Sequence, residues 1–417
     1  MNIAIIGSGI SGLSCAYKLS PKHNITVFEK AERIGGHTAT IDVDYQGEHH
    51  RIDTGFIVYN DWTYPCFIQL LEELGVESQE TEMSFSVSCP HSGLEYSGNN
   101  LNTLFAQRRN LLNIPYLAML YDLIRFNKQA IQDLEAGRIS ESLTLGDYLD
   151  ENKYGVMFKH YYLIPMGSAI WSASLNDMLK FPLLFFVRFF KNHGLLNIVN
   201  RPQWRVIKGG SASYLKPLTQ DFSEKIKLSS QIQSVHRAPD SAVLTFKDGS
   251  QSRFDQVVFA CHSNQALNLL GDASKSEEDI LGSIPYKNNR VTLHTDTSLL
   301  PGAKRAWASW NYHVGEDRDK PATLSYNMNI LQGIQSDTTF VVTLNDEGSI
   351  DQSKIIDNFE YAHPNFTLEG IAAQSRWPDI NGHNRTWFCG AYWRNGFHED
   401  GCMTGMRVAD SIEKVHS

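Results

Sequence analysis

Asn2-Ile3-Ala4-Ile5-Ile6-Gly7-Ser8-Gly9-Ile10-Ser11-Gly12 is the stretch whose reading decides the fold. Its first five residues form a short apolar run of the kind that makes a buried strand, and they lead directly into a turn with glycine at three fixed positions. Gly7 permits the tight turn, Gly9 lets backbone approach a pyrophosphate, and Gly12 lets the next helix pack against the strand, so that phosphate charge meets a helix N-terminus. Ser8 and Ser11 lie within that cradle. A helical pattern follows through Leu13, Ala16, Tyr17 and Leu19, then a second apolar run at Ile25-Thr26-Val27-Phe28. That run ends on Glu29-Lys30, with Glu29 twenty residues after Gly9, where an acidic side chain receives ribose hydroxyls. Strand, glycines, helix, second strand and terminal acid stand in the order that a dinucleotide-binding unit requires.

Working outward, Arg33-Ile34-Gly35-Gly36-His37-Thr38 supplies a second flexible, cationic turn, and Ile52-Asp53-Thr54-Gly55-Phe56 reads as another strand ending in glycine. A nicotinamide site would not need them. Together with Glu29 they resemble the N-terminal pattern of FAD-dependent amine oxidases and phytoene-desaturase-like enzymes. The resemblance implies that Gly35, Gly36, His37, Thr38, Gly55 and Phe56 also contact FAD. It implies an α/β fold: a discontinuous Rossmann-like FAD-binding domain carrying an inserted α+β substrate domain.

The chain has 417 residues, 42% hydrophobic and 11% aromatic, enough for large cores and two domains. A formal charge of −9 with no basic stripe excludes nucleic acid as the expected partner. Cysteines 15, 66, 89, 261, 389 and 402 show no CxxC or metal-ligand spacing, and neither do the histidines, so they read as reduced thiols in a cytoplasm and no metal is expected. The first strand begins at once, without a secretory pattern ahead of it. The densest apolar run, Phe181 to Phe190, is shorter than the about 20 residues a bilayer requires and contains Pro182 and Arg188. A cytoplasmic protein is expected, with at most peripheral contact at the inner membrane surface.

From about 66 to 202 the pattern reads as mostly helix, with a helix from Pro65 that Gly75 stops and a longer one through Leu117, Leu120, Tyr121, Ile124, Ile131 and Leu134 up to Gly137. Flavin-domain character returns at Trp204 to Gly210, then come strands at Ile232 to Val235 and Val243 to Phe246, the hairpin pair Asp248-Gly249, and the buried run Val257 to Ala260. Strand-like runs at Val291 to His294, Trp307 to Tyr312, Thr323 to Asn327 and Phe340 to Leu344 predict a second sheet. The chain closes with Trp387-Phe388-Cys389-Gly390, the loop Gly396 to Gly401 and a helix through Met406, Val408, Ala409 and Ile412. The expected division is 1–65, 203–279 and 380–417 for FAD, with 66–202 and 280–379 for substrate.

By the same resemblance, the strand near Ile232 and Val235 passes under the adenine, and Gly390, Ala391, Phe397, His398 and Glu399 meet the flavin ring. A closer resemblance covers nearly the whole chain: MSFSVS (83–88), WSAS (171–174), RPQW (201–204) and GFHEDG (396–401) look like the flavoprotein domain fused ahead of plant cyclopropane fatty acid synthases and its stand-alone bacterial relatives. It implies chemistry on fatty-acyl chains and a cyclopropane-synthase-like methyltransferase as partner. Two departures from amine oxidases stand out. Their lysine near flavin N5 aligns with a strand whose charged residue here is Arg290, which cannot accept a proton. Residues 360–385 contain no cysteine for covalent attachment.

His398 is the candidate acid/base residue, at the start of the final helix beside the expected ring; the alternatives for His398, Glu399 and Asp400 are capping and flavin orientation. The aromatic groups at Trp171, Trp307 and Trp310, and Tyr392 and Trp393 are either pocket walls or core. Phe181 to Phe190 is either a buried helix or an acyl entrance whose Arg188 and Lys191 meet an anionic head group. The expected function is non-covalent FAD-dependent hydride transfer to or from a hydrophobic substrate, a fatty-acyl or lipid chain. The alternatives are oxidation of a soluble amine and a non-catalytic flavoprotein partner of the methyltransferase.

Overall fold

A computed structural model of the protein describes residues 1–315, 317, 319–321 and 323–416. Its first sheet has five parallel strands in the order Ile226–Lys227, Asn24–Phe28, Asn2–Ile6, Gln256–Phe259, Thr386–Phe388. Asn2–Ile6 is central, with Ile5 aligned to Val27 on one side and Val258 on the other. Helix Ile10–Leu19 packs on it from one side and a small antiparallel sheet from the other, so both faces are covered, which is why its run is continuously apolar rather than alternating. A three-stranded antiparallel sheet, Ile232–Ala238, Ser241–Phe246 and Gln251–Phe254, lies beside it, and Phe28 packs against Phe246 and Phe254 at ring separations of 5.6 and 5.8 Å. Its Asp248-Gly249 turn forms as expected, with Gly249 at φ +83°.

Helix Ile10–Leu19 is clasped by the final helix, His398–His416. The closeness depends on Gly401 and Gly405, one turn apart. A β-carbon on Gly405 would stand 2.2 Å from Ser11 O and 2.3 Å from Ser14 Oγ; one on Gly401 would stand 2.7 Å from Ile10. Gly405→Ala should therefore force the helices apart and lower stability by about 1–3 kcal/mol. Gly315→Ala, whose β-carbon meets nothing within 4 Å among the described residues, should change little. Equal thermal midpoints for the two variants would refute this account of the helix contact.

The second sheet has seven strands in the order Ile355–Pro364, Tyr286–His294, Val341–Leu344, Thr323–Asn327, Trp310–His313, Phe85–Cys89, Leu94–Ser97. All its pairs are antiparallel except Trp310–His313 with Phe85–Cys89. Residues 66–202 are mostly helix, as expected, but they also supply two strands of this sheet that the pattern did not show. Ser84, Ser86 and Ser88 alternate with Phe85 and Val87, which is a strand period, but serine weakens the apolar contrast on which the pattern depends. Ser78–Thr81 is also a strand, pairing with Trp204–Ile207, which in turn pairs with Tyr59–Asn60. The long helix is Ile114–Glu135, opened by Asn113 accepting from the Tyr116 N–H and stopped at Gly137, φ +65°.

Packing moves the expected boundaries. Helix Pro65–Glu73 is cut by the division at 65/66, and its Phe67, Leu70 and Leu71 belong to the core of the first sheet. Ile280, Leu281, Ile284, Ala373 and Trp377 join the same core. The second core gathers the helices between 114 and 192 with the inner face of the seven-stranded sheet.

Candidate cofactor and substrate site

The two glycine turns meet at the C-terminal edge of the first sheet, where doubly wound folds bind ligands. Gly7 has φ +109°, and its β-carbon would lie 2.8 Å from Ala260 O; Gly12's would lie 2.0 Å from Gly7 O. These two glycines hold strand, turn and helix together. Gly9 is different, because a β-carbon there points into open space, with nothing within 4 Å. The Gly35 N–H donates to Ser8 O (2.9 Å), and a β-carbon on Gly36 would come 3.2 Å from Gly9 Cα. Glu29 Oε2 accepts from the Ser8 N–H (2.9 Å) and Ser8 Oγ (2.6 Å), while Oε1 accepts from the Ala31 N–H (2.8 Å). Arg33 ties the second turn by donating to the carbonyls of Ile34, Gly36 and Thr38. Ser11 is buried in the first turn of its helix and Lys30 is exposed.

From there a chain of contacts leads to the final helix. Thr38 Oγ1 bonds Tyr214 OH (2.6 Å), and Tyr214 OH bonds His398 Nε2 (2.9 Å). The Phe56 N–H donates to His37 O (2.7 Å), and the Phe56 ring stacks on His398 at 3.7 Å. Gly55 is required beneath this crossing, since its β-carbon would lie 2.2 Å from His37 O. Around His37 stand Tyr361 (5.1 Å), His363 (5.4 Å) and His262 (6.0 Å between ring centroids). His363 Nδ1 bonds Ser172 Oγ and Asn289 Nδ2, each at 3.2 Å. Desolvation lowers His37 and His262 to about 4 and His363 to about 3, with the Arg33 charge adding to it at His37 and the neighbouring histidines at His262 and His363. The cluster is therefore uncharged near neutral pH. Sequence reasoning placed His37 at the cofactor but missed His262 and His363. The available signal was His262's position just past the strand Gln256–Phe259, the neighbour of the central one.

Three assignments change. His398 is fixed between Phe56, Phe67 and Tyr214, and burial lowers it to about 3, so it cannot exchange protons near neutrality; the orienting alternative describes it better. Glu399 turns away, its two oxygens accepting from the Cys66 (3.0 Å) and Phe67 (2.9 Å) N–H groups at the start of helix Pro65–Glu73. Arg290 is on the exposed side of its strand, and the inward neighbour, bonded to His363, is Asn289. A one-residue register step exchanges the faces of a strand.

The remaining candidates are spread out. Gly390 donates to Thr404 Oγ1 (3.0 Å), and the Ala391 carbonyl closes the following loop. Phe397 packs on Phe189 at 5.1 Å. Ile232 lies two residues beyond Ser230, whose N–H donates to Glu29 O (2.8 Å), whereas Val235 is fully buried and its carbonyl accepts from Gly271 (2.9 Å). Phe181 to Phe190 is core along most of its length: Phe181, Phe186, Phe189 and Phe190 surround Trp171, and Lys191 pairs with Glu135 at 2.8 Å. Trp307 donates to Pro301 O (2.8 Å), and Trp310 packs edge-on against Tyr326. A cavity of about 320 Å³, lined by Trp62, Tyr64, His193, Arg394, Phe397 and Asp400 among others, opens beside the first turn of the final helix.

These residues fit FAD. Open space above Gly9, an acid at the end of the second strand, and a helix N-terminus make a pyrophosphate and ribose seat. His37 Nε2, shielded from solvent and without a partner among the described residues, offers a polar contact next to it. Bound there, FAD supplies hydride acceptance or return; the protein's own groups seat it, orient it and exclude water.

Comparison with known proteins agrees. Residues 10–298 match the family model of flavin containing amine oxidoreductases. An L-amino-acid oxidase from Protobothrops flavoviridis is 22% identical over 370 residues, 80% of this chain and 66% of the relative, so this chain spans just under two thirds of that protein's length. Putrescine oxidase bound to putrescine superposes with a TM-score of 0.71 at 14% identity over 99% of both chains. A fatty acid isomerase from P. acnes, which produces CLA, does so at 0.69 and 14% over 99% of this chain and 98% of that one. The chain belongs to the flavin containing amine oxidoreductase family.

Proposed function

We propose that the protein transfers hydride between FAD and an uncharged, apolar segment of a fatty-acyl or lipid substrate. The observation that carries this reading is the neutral polar cluster joined to an aromatic wall. His37, His262, His363, Tyr361, Asn289 and Ser172 bring no carboxylate to hold an ammonium, and the guanidinium that acts on them, Arg33, is committed to the carbonyls of Ile34, Gly36 and Thr38. Ser172 adjoins Trp171, whose ring packs against Phe181 (4.5 Å) and Phe189 (4.8 Å); Phe189 stacks on Phe397, the residue before His398. The wall thus starts beside His363 and ends beside His398. The cavity where Phe397 and Arg394 meet is lined mainly by polar groups, Asp400 and Asn395 among them, and Arg394 lies 3.7 Å from Asp400, so it adds a half-exposed cation for a head group beside the aromatic wall and not the apolar channel itself. The resemblance to cyclopropane-synthase flavoprotein domains supports the same substrate class, and a methyltransferase of that kind is the partner this reading expects.

Anaerobic flavin bleaching tests it. An unsaturated fatty acid or phospholipid should reduce the flavin, or change its spectrum on binding, and Arg394→Gln should raise the fatty-acid concentration required. Rapid bleaching by putrescine or L-amino acids with no response to lipid would replace this reading with soluble amine oxidation.

A further inference from the structure

The second core leaves one conspicuous surface uncovered. Helix Ile114–Glu135 buries Tyr116, Met119, Phe126 and Ala130, yet its opposite face is also apolar. Ile114 (79% exposed), Leu117 (41%), Tyr121 (69%) and Ile124 (56%) follow one another at spacings of three, four and three residues. They form one stripe pointing to solvent. The segment before the helix continues it, with Leu101 at 76%, Leu111 at 51% and Leu112 at 89%. The Tyr116 hydroxyl holds that segment against the helix by donating to Leu104 O (2.7 Å). Contiguous exposed apolar surface of this kind marks an interaction site.

Charge selects the occupant. The protein is acidic overall, −9, but residues 101–128 contain Arg108, Arg109, Arg125 and Lys128 against a single acid, Asp122. Asp122 is already paired with Arg125 at 2.9 Å. Arg108 donates to the carbonyls of Asn102 and Phe105 and to Asn102 Oδ1, and Arg109 donates to Gly93 O and Gln107 Oε1. Those partners are neutral, so both positive charges remain for an external anion. Lys128 lies on the exposed stripe, four residues beyond Ile124. No helix among the described residues is long and apolar enough to cross a membrane. Exposed leucines and isoleucines flanked by arginine and lysine suit a helix lying in the plane of a lipid surface.

We propose that residues 101–128 dock the protein on an anionic phospholipid bilayer, with the stripe from Leu112 to Ile124 in the head-group region and Arg108, Arg109 and Lys128 on lipid phosphates. The assignment rests on the exposed face and not on the substrate reading, so either can fail alone.

Vesicle co-sedimentation of the flavin-loaded protein tests it, using phosphatidylglycerol mixed with phosphatidylcholine and, separately, phosphatidylcholine alone. The protein should pellet with the anionic vesicles, at least tenfold less with the neutral ones, and less as salt rises. Leu112→Glu and Tyr121→Glu, at exposed positions, should abolish pelleting with the flavin spectrum and thermal midpoint unchanged. Arg108→Gln combined with Arg109→Gln should weaken it and flatten the salt dependence. Protein that stays in the supernatant with anionic vesicles would overturn the proposal. So would a dimer at micromolar concentration that Leu112→Glu dissociates, which would give the face to a second copy of the chain.

Discussion

Gly9→Leu is expected to produce a folded protein without flavin. A leucine side chain at this position starts in open space, since nothing lies within 4 Å of its β-carbon, and the backbone, at φ −69° and ψ 177°, is one that any residue adopts. The apoprotein therefore has little reason to lose stability. The same space is where a pyrophosphate must approach the backbone, between the Ser8 loop and Gly36, so the side chain and the cofactor compete for one volume. Flavin absorbance per polypeptide should fall to background while circular dichroism stays at the parent level. Gly12→Leu is the contrasting variant: its β-carbon would sit 2.0 Å from Gly7 O, so flavin and fold should be lost together. A Gly9→Leu protein with full flavin content would remove the cofactor from this cradle.

What the sequence revealed and what it hid follow from how far each signal extends along the chain. The glycine turn, Glu29, the second glycine pair and the closing strand and helix are local patterns, each complete within a few residues, and the structure brings them to one sheet edge. The histidine cluster is not local. His37, His262 and His363 come from three distant segments, and only the crossing of the two sheets puts them together. Glu399 misled for a related reason. An acid in the first turn of a helix reads as that helix's own cap or as a cofactor contact, but its carboxylate caps a different helix, 333 residues away at Cys66. Arg290 and Asn289 show a third limit, because period-two alternation says that neighbours face opposite ways without saying which one faces inward. The Gly401–Gly405 contact was present in the sequence as two glycines four apart, obscured by their nearness to a cofactor loop.

Acid should destabilise this protein at pH values where its exposed carboxylates are still ionised. His193, His294 and His398 are buried, and desolvation lowers them from 6.5 to about 4, about 4 and about 3. The unfolded chain takes up their protons near pH 6.5 and the folded chain refuses them until about 4, so stability is full above that range and falls as pH drops through it. Between pH 7 and 5 each of the three costs about 2 kcal/mol. Asp53 and Asp400 oppose this. Burial raises both to about 6, so the folded state holds their protons more tightly and gains about 1 kcal/mol from each over the same interval. The balance is still a loss of roughly 3–4 kcal/mol, against a usual margin of about 5–15. The half-buried trio His37, His262 and His363 adds to the loss in the same direction, and more so once FAD covers them. Thermal midpoints measured from pH 8 to 4.5 should fall steeply below 6.5, with flavin released in the same window. His294→Gln, which removes one of these protons while keeping a polar group toward Thr343 Oγ1 (2.8 Å), should make the fall shallower. A midpoint that stays level from pH 7 to 5 would show that these imidazoles titrate freely in the folded protein, and the neutral cluster on which the substrate reading depends would go with it.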